Sequence, residues 1–176
     1  MTALYERLFP RWYKTESCWK VYIRCVTAHL QPQYRDLLGM YELDINADAE
    51  GFFALGDADK KWWAFEQLQR GIEQLRRQTG WDEEPFAATA AQARALELRN
   101  VWRWKKTARS PSRRRTAEVW IDHDVWACRI SLVVRSRAGD ELSRHDLISE
   151  LPNEWAYSPH LGSLAWQSET RVVLTS

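Results

Sequence analysis

Residues 125–135 constrain the fold more than any other stretch. Trp126, Cys128, Ile130, Leu132 and Val134 alternate with Ala127, Arg129, Ser131 and Arg135, which is the period of a half-buried strand. Asp122, His123 and Asp124 precede them as a polar cluster suited to a tight turn. A symmetric hairpin about that turn sets Ile121 opposite Trp126 and Val119 opposite Cys128, both apolar pairs on one face. The same register places Glu118 opposite Arg129 on the other face, a favourable cross-strand charge pair. Upstream, Trp102 and Trp104 join the apolar face through a further hairpin whose loop holds Lys105, Lys106, Arg109, Arg113, Arg114 and Arg115.

The amino-terminal part reads as mainly helical. Trp19, Ile23, Val26 and Leu30 fall at helical spacing, although Trp19, Val21, Ile23 and Cys25 also alternate. Helix and strand therefore compete over residues 17–27, and Pro32 ends whichever forms. Tyr34, Leu37, Leu38, Tyr41 and Ile45 predict a short helix, and residues 46–56 a loop that tucks in Phe52 and Phe53. The clearest helix spans residues 57–78. Trp62, Phe65, Leu68, Ile72 and Leu75 form its buried stripe, Trp63 flanks the stripe, and Gly80 stands ready to end it. A second helix follows Pro85. After the central sheet, residues 138–140 turn the chain, residues 141–151 suggest one more short helix stopped by Pro152, and Leu164–Trp166 with Arg171–Leu174 suggest a closing hairpin.

At 176 residues, with 45% hydrophobic and 28% charged side chains, the chain has the balance of a globular protein, and its length fits one domain over residues 1–176. No stretch approaches the length of a membrane span. The amino terminus has no uninterrupted apolar run, so the expectation is a cytoplasmic protein with its three cysteines reduced and buried. The net charge of +1 gives no global attraction to nucleic acid or to anionic membranes. Eleven tryptophans are the compositional outlier, and most are expected to lie in the core.

Candidate chemistry is sparse. No glycine-rich phosphate loop, nucleophile elbow or zinc-protease helix occurs. Asp122, His123, Asp124, His145 and Asp146 are the only dense set of potential acid/base groups or metal ligands, and turn formation explains them more simply. No cofactor, metal or catalytic residue is assigned. Residues 99–115 contain no acid, and Arg113, Arg114 and Arg115 near Trp102, Trp104 and Trp120 resemble what single-stranded nucleic acid requires. Arg103, Trp120 and Arg129 share the polar face of the hairpin sheet and are residue types enriched in interface hot spots; Trp63 joins them as a candidate contact. Glu42, Asp44, Asp48, Glu50, Asp57 and Asp59 form the opposite charge extreme, a phosphate-mimicking surface or simply an acidic loop and helix start.

The expected class is α+β, with helices mainly in the first half covering one face of an antiparallel sheet supplied mainly by the second. The expected function is non-enzymatic binding of a protein partner, such as an immunity or inhibitor protein that neutralises a toxin. A nucleic-acid-binding module using residues 99–115 is the alternative, and a metal-dependent enzyme stands third.

Overall fold

The computed structural model describes residues 1–26 and 33–176. They form two compact units, Met1–Leu98 and Arg99–Ser176, each with its own core. The fold is α+β: most helical residues lie in the first unit and a four-stranded antiparallel sheet in the second.

In the first unit, helix α1 (Thr2–Leu8) leads to strands β1 (Lys20–Val26), β2 (Tyr34–Leu37) and β3 (Met40–Asn46), followed by helices α2 (Ala49–Ala54), α3 (Asp57–Thr79) and α4 (Glu84–Ala95). The strands make a mixed sheet in the order β1-β3-β2, with β1 parallel to β3 and β2 antiparallel to it. Strand thus displaces helix over residues 20–26, where Val21, Ile23 and Val26 prefer extended backbone and β3 offers a full ladder. Leu30 and Pro32 lie outside the described residues. The helix expected from Tyr34 to Ile45 is instead a hairpin. Leu38 and Gly39 both have positive φ, 55° and 84°, as a two-residue primed turn demands. A Cβ at Gly39 would collide with the Ser17 carbonyl, so glycine is needed twice over. The alternation of Tyr41, Leu43 and Ile45, all buried against Leu75 of α3, was the true period.

Residues 46–56 are not a loop throughout, because Asp48 caps α2 by accepting from the Gly51 N–H at 2.8 Å. The long helix α3 forms as expected and ends at Gly80 (φ 71°), whose N–H returns to the Arg76 carbonyl. Phe65, Ile72 and Leu75 are buried. Trp62, expected in the buried stripe, is instead exposed, whereas Trp63 is half-buried at the flank and packs on Phe52 with centroids 4.7 Å apart.

In the second unit, β4 (Val101–Arg109), β5 (Arg115–His123), β6 (Cys128–Ser136) and β7 (Glu141–Glu150) form a meander. Helix α5 (Glu154–Tyr157), a single 3-10 turn and the hairpin of β8 (Ser163–Trp166) and β9 (Val172–Thr175) follow. The central hairpin exists, but its register differs from the expected one. Ile121 faces Ile130, Val119 faces Leu132, and Glu118 faces Val133 rather than Arg129. The turn lies at residues 124–127, closed by the Asp124 N–H on the Ala127 carbonyl, and His123 belongs to β5. The slip is even, so each residue keeps its face. Val119, Ile121, Cys128 and Ile130 are fully buried, with Trp102, Trp104, Tyr157, Leu164 and Trp166 packed over them.

Residues 141–151 are not a helix. All but the last form β7, because pairing with β6 outweighs the weak local preference of this charged segment. The basic loop shrinks to residues 110–114, since Lys105, Lys106 and Arg109 lie on β4 and Arg115 on β5. No tryptophan is fully buried: Trp12, Trp19, Trp62, Trp126 and Trp155 are exposed, and the rest are half-buried. Of the cysteines only Cys128 is buried, while Cys18 is partly covered and Cys25 exposed; all three are free thiols.

Candidate protein-binding surfaces

The polar face of the second unit's sheet is organised around one buried carboxylate. Glu118 on β5 is only 6% exposed. It accepts from Arg103 Nη1 at 2.9 Å, Arg135 Nε at 3.0 Å and Trp120 Nε1 at 3.0 Å. Burial alone would push its pKa up. The hydrogen bonds from Trp120, Arg103 and Arg135 outweigh that and hold it below the ordinary glutamate value. Arg103 therefore pairs with Glu118, and it is Arg144 whose guanidinium lies 6.0 Å from the Trp120 ring centroid. Arg129 stands opposite Asp122, with 3.9 Å between charged atoms and both side chains about half exposed. Arg103, Trp120 and Arg129 thus share a face, as expected, but two of the three are committed to holding Glu118.

The other candidates lie elsewhere. Arg113 and Arg114 are exposed at the β4–β5 tip. Within that tip, the carboxylate of Glu169 accepts from the backbone N–H and the hydroxyl of Ser112, and Arg115 Nη1 donates to the Glu169 carbonyl at 3.4 Å. An acid that the linear sequence put far away thus sits inside the basic cluster. Lys106 is also engaged, donating to the Gly162 carbonyl at 2.6 Å. Trp63 belongs to the first unit, where it lines an apolar cleft of about 650 Å³ between α1, β1 and α3.

The acidic extreme of the sequence divides: Asp48, Glu50, Asp57 and Asp59 are exposed, whereas its two β3 carboxylates are not. Glu42 and Asp44, on β3, are buried beneath arginines from both neighbouring strands. Arg24 reaches Glu42 at 2.8 Å and Asp44 at 2.7 Å, and Arg35 reaches them at 3.2 and 3.6 Å. The Arg24 hydrogen bond holds the Asp44 carboxyl below the usual aspartate range against the opposing effect of burial.

The histidine and aspartate set does not converge. Among the described residues no three His, Cys, Asp or Glu side chains gather at metal-binding spacing. His145 faces Leu132 in the ladder, and Asp146 accepts from the Ser131 hydroxyl at 2.6 Å. His123 has a structural task. Its Nε2 donates to the Pro152 carbonyl at 2.8 Å, and its ring packs beside Trp102 and Tyr157.

That latch fixes a feature the sequence reading missed. Trp126 in the β5–β6 turn, Leu151 after β7 and Trp155 in α5 are 68%, 64% and 90% exposed. Because Cys128 pairs with Glu150, Leu151 and the Trp126 turn lie at the same end of the sheet. Asn153 caps α5 by accepting from the Ala156 N–H at 2.9 Å, and buried Tyr157 anchors its far end. Ordinary surfaces scatter large apolar side chains singly, whereas these three are exposed on neighbouring ordered segments. The usable sequence signal was position, a tryptophan within a polar turn and another just after a proline and an asparagine cap.

No protein-family model matches the chain, and comparison with curated proteins and with solved structures returns no match. Among the described residues no helix is long and apolar enough to cross a membrane.

Proposed function

We propose that the chain is a protein-binding module whose partner seats on the aromatic end of the second unit. The observation that supports this is the exposure of Trp126, Leu151 and Trp155 on segments held in place by the His123–Pro152 hydrogen bond and the Asn153 cap. Tryptophans presented on an ordered frame add contact area at little entropic cost. Arg129, half exposed and only three residues from Trp126, supplies a cation at the rim. Inhibition of a toxin by a small immunity-type protein is the specific form of this reading that we carry forward.

The test is to cross-link the full chain in its native host, identify the partner by mass spectrometry, and measure its affinity for the wild type and for Trp155→Ala. Loss of about 2 kcal/mol or more on truncating Trp155 is expected. A partner bound equally well by Trp155→Ala and Trp126→Ala proteins overturns the assignment. A nucleic-acid function for residues 99–115 keeps one favourable observation, the exposure of Lys105, Arg109, Arg113 and Arg114. It requires salt-dependent oligonucleotide binding that is lost when Arg113, Arg114 and Arg115 become alanine.

A further inference from the structure

The first unit holds a concave site that neither its core nor the aromatic end of the second unit accounts for. On the face of the sheet toward α3, the side chains of β3 are buried, but those of β1 are not. Val21 is 37% exposed, and Cys25 is exposed too. Ile23 alone reaches down to α3, where it lies so close to Gly71 that a Cβ there would stand 2.6 Å from it. Gly71 thereby lets β1 settle onto the helix. Beside β1 the cleft of about 650 Å³ opens, walled by Phe9 and Tyr13 after α1 and by Trp63, Leu68 and Phe86. This volume lies in the range of ordinary ligand sites.

Two further features define what would fit. The first is the backbone. β1 is an outer strand, and among the described residues no strand pairs with its far edge. The Val26 carbonyl accepts from the Ala47 N–H beyond β3 at 2.9 Å. By the alternation of a parallel ladder, Arg24 and Tyr22 also turn their peptide groups to β3, whereas Val21, Ile23 and Cys25 turn theirs to the open edge. The edge is thus a template for one more strand, and it runs along an apolar cleft able to take that strand's alternate side chains. The second feature is charge. Arg11 and Lys20 line the cleft, and Lys14 lines a cavity sharing Phe9, Tyr13 and Lys20 with it; Glu6 is the one carboxylate among these lining residues.

We propose that this cleft captures an extended peptide with alternating apolar side chains and a carboxylate, which adds as a fourth strand to β1 and places its anionic group near Arg11 and Lys20. Strand addition supplies affinity through the main chain and specificity through alternate side-chain pockets.

The experiment selects seven-residue peptides with free carboxyl ends from a random display library on the full-length protein, then measures the enriched peptides by fluorescence anisotropy. Enrichment of alternating apolar residues with an acidic group or a free terminus is expected. Val21→Pro deletes an edge N–H without touching the β3 ladder, a place where proline is tolerated, and should weaken binding about tenfold. N-methylation of alternate peptide amides should do the same on unaltered protein, which covers any misfolding of the proline variant. Arg11→Glu with Lys20→Glu should weaken acidic peptides and spare amidated neutral ones. The proposal fails if no peptide is enriched, or if enriched peptides tolerate every alternate N-methylation. It also fails if the cleft instead binds oleate with an affinity unchanged by Val21→Pro, the behaviour of a lipid site.

Discussion

In the first unit Glu42 and Asp44 sit on the central strand and arginines from the strands on either side close over them; in the second, Glu118 sits on an inner strand and receives Arg103 and Arg135 from its two neighbours. Both sheets therefore hold their polar face together by the same device, a buried carboxylate clamped across three strands. Their other faces differ. The second sheet is sealed by the β8–β9 hairpin, with Trp166 Nε1 donating to the Ala108 carbonyl at 3.0 Å. The first is filled over β3 and left open over β1. The clamps thus tie each sheet's neighbouring strands together, while the cleft in one unit and the aromatic end in the other remain exposed.

The strongest way to break the first unit is to separate β1 from α3. Gly71→Leu inserts a branched side chain where Ile23 already stands. Overpacking of this kind costs roughly 3 kcal/mol, and hydrogen exchange at the Arg24 and Leu43 amides should rise together. Unchanged exchange would mean that β1 does not rest on Gly71.

The clamp of the second unit comes next. Glu118→Ala leaves Arg103 and Arg135 without their shared acceptor and orphans the Trp120 N–H. Both arginines can turn toward water, so the expected loss is about 2 kcal/mol by urea denaturation. Coupling of roughly 1 kcal/mol to Arg103→Ala is expected in a double-mutant cycle. Asp44→Ala should behave similarly in the first unit. If only one of the two carboxylates matters, the parallel between the sheets is lost.

Acid should act on both clamps in the same sense. The folded-state pKa values of Asp44 and Glu118 are held below their ordinary values. Each carboxylate therefore stabilises the fold in full above its ordinary, unfolded pKa, and that contribution disappears as pH falls through the folded one. Glu118→Gln should flatten the acid limb of the stability profile, and an unaltered limb would remove Glu118 from the account. His123→Asn, which breaks the bond to the Pro152 carbonyl, should cost about 1 kcal/mol and loosen the segment carrying Trp155.

The sequence was most legible where periodicity and capping agreed. The stripe of Phe65, Ile72 and Leu75 with Gly80 behind it identified α3, and the alternation from Cys128 to Leu132 identified β6 with the correct faces. It was least legible where a partner strand decided the outcome. Residues 20–26 and 141–150 carry mixed local preferences, and each became a strand because β3 or β6 offered it a ladder. Leu38 misled because a leucine with positive φ has no ordinary signature. The functional candidates suffered from the same blindness to distance. Glu169 reaches Ser112 from 57 residues away, and no local pattern in a basic run announces that. Trp126 was counted as an inward strand residue only because the turn was set two residues too early.

The smallest expected effect discriminates best between the two registers. A turn at residues 122–124 pairs Arg129 with Glu118, whereas the observed turn at residues 124–127 pairs Arg129 with Asp122. The Asp122 contact is long at 3.9 Å, with side chains 50% and 47% exposed, so its worth lies within about 0–1 kcal/mol. Arg129→Ala should therefore change stability by less than about 0.5 kcal/mol. Its coupling to Glu118→Ala should be indistinguishable from zero, and any measurable coupling should be to Asp122→Ala. Coupling to Glu118 instead would restore the earlier turn and move Trp126 into the sheet, leaving Trp155 and Leu151 alone at that end. If stability is indeed untouched, a loss of partner affinity in Arg129→Ala reports directly on the rim contact, because no change in folding can account for it.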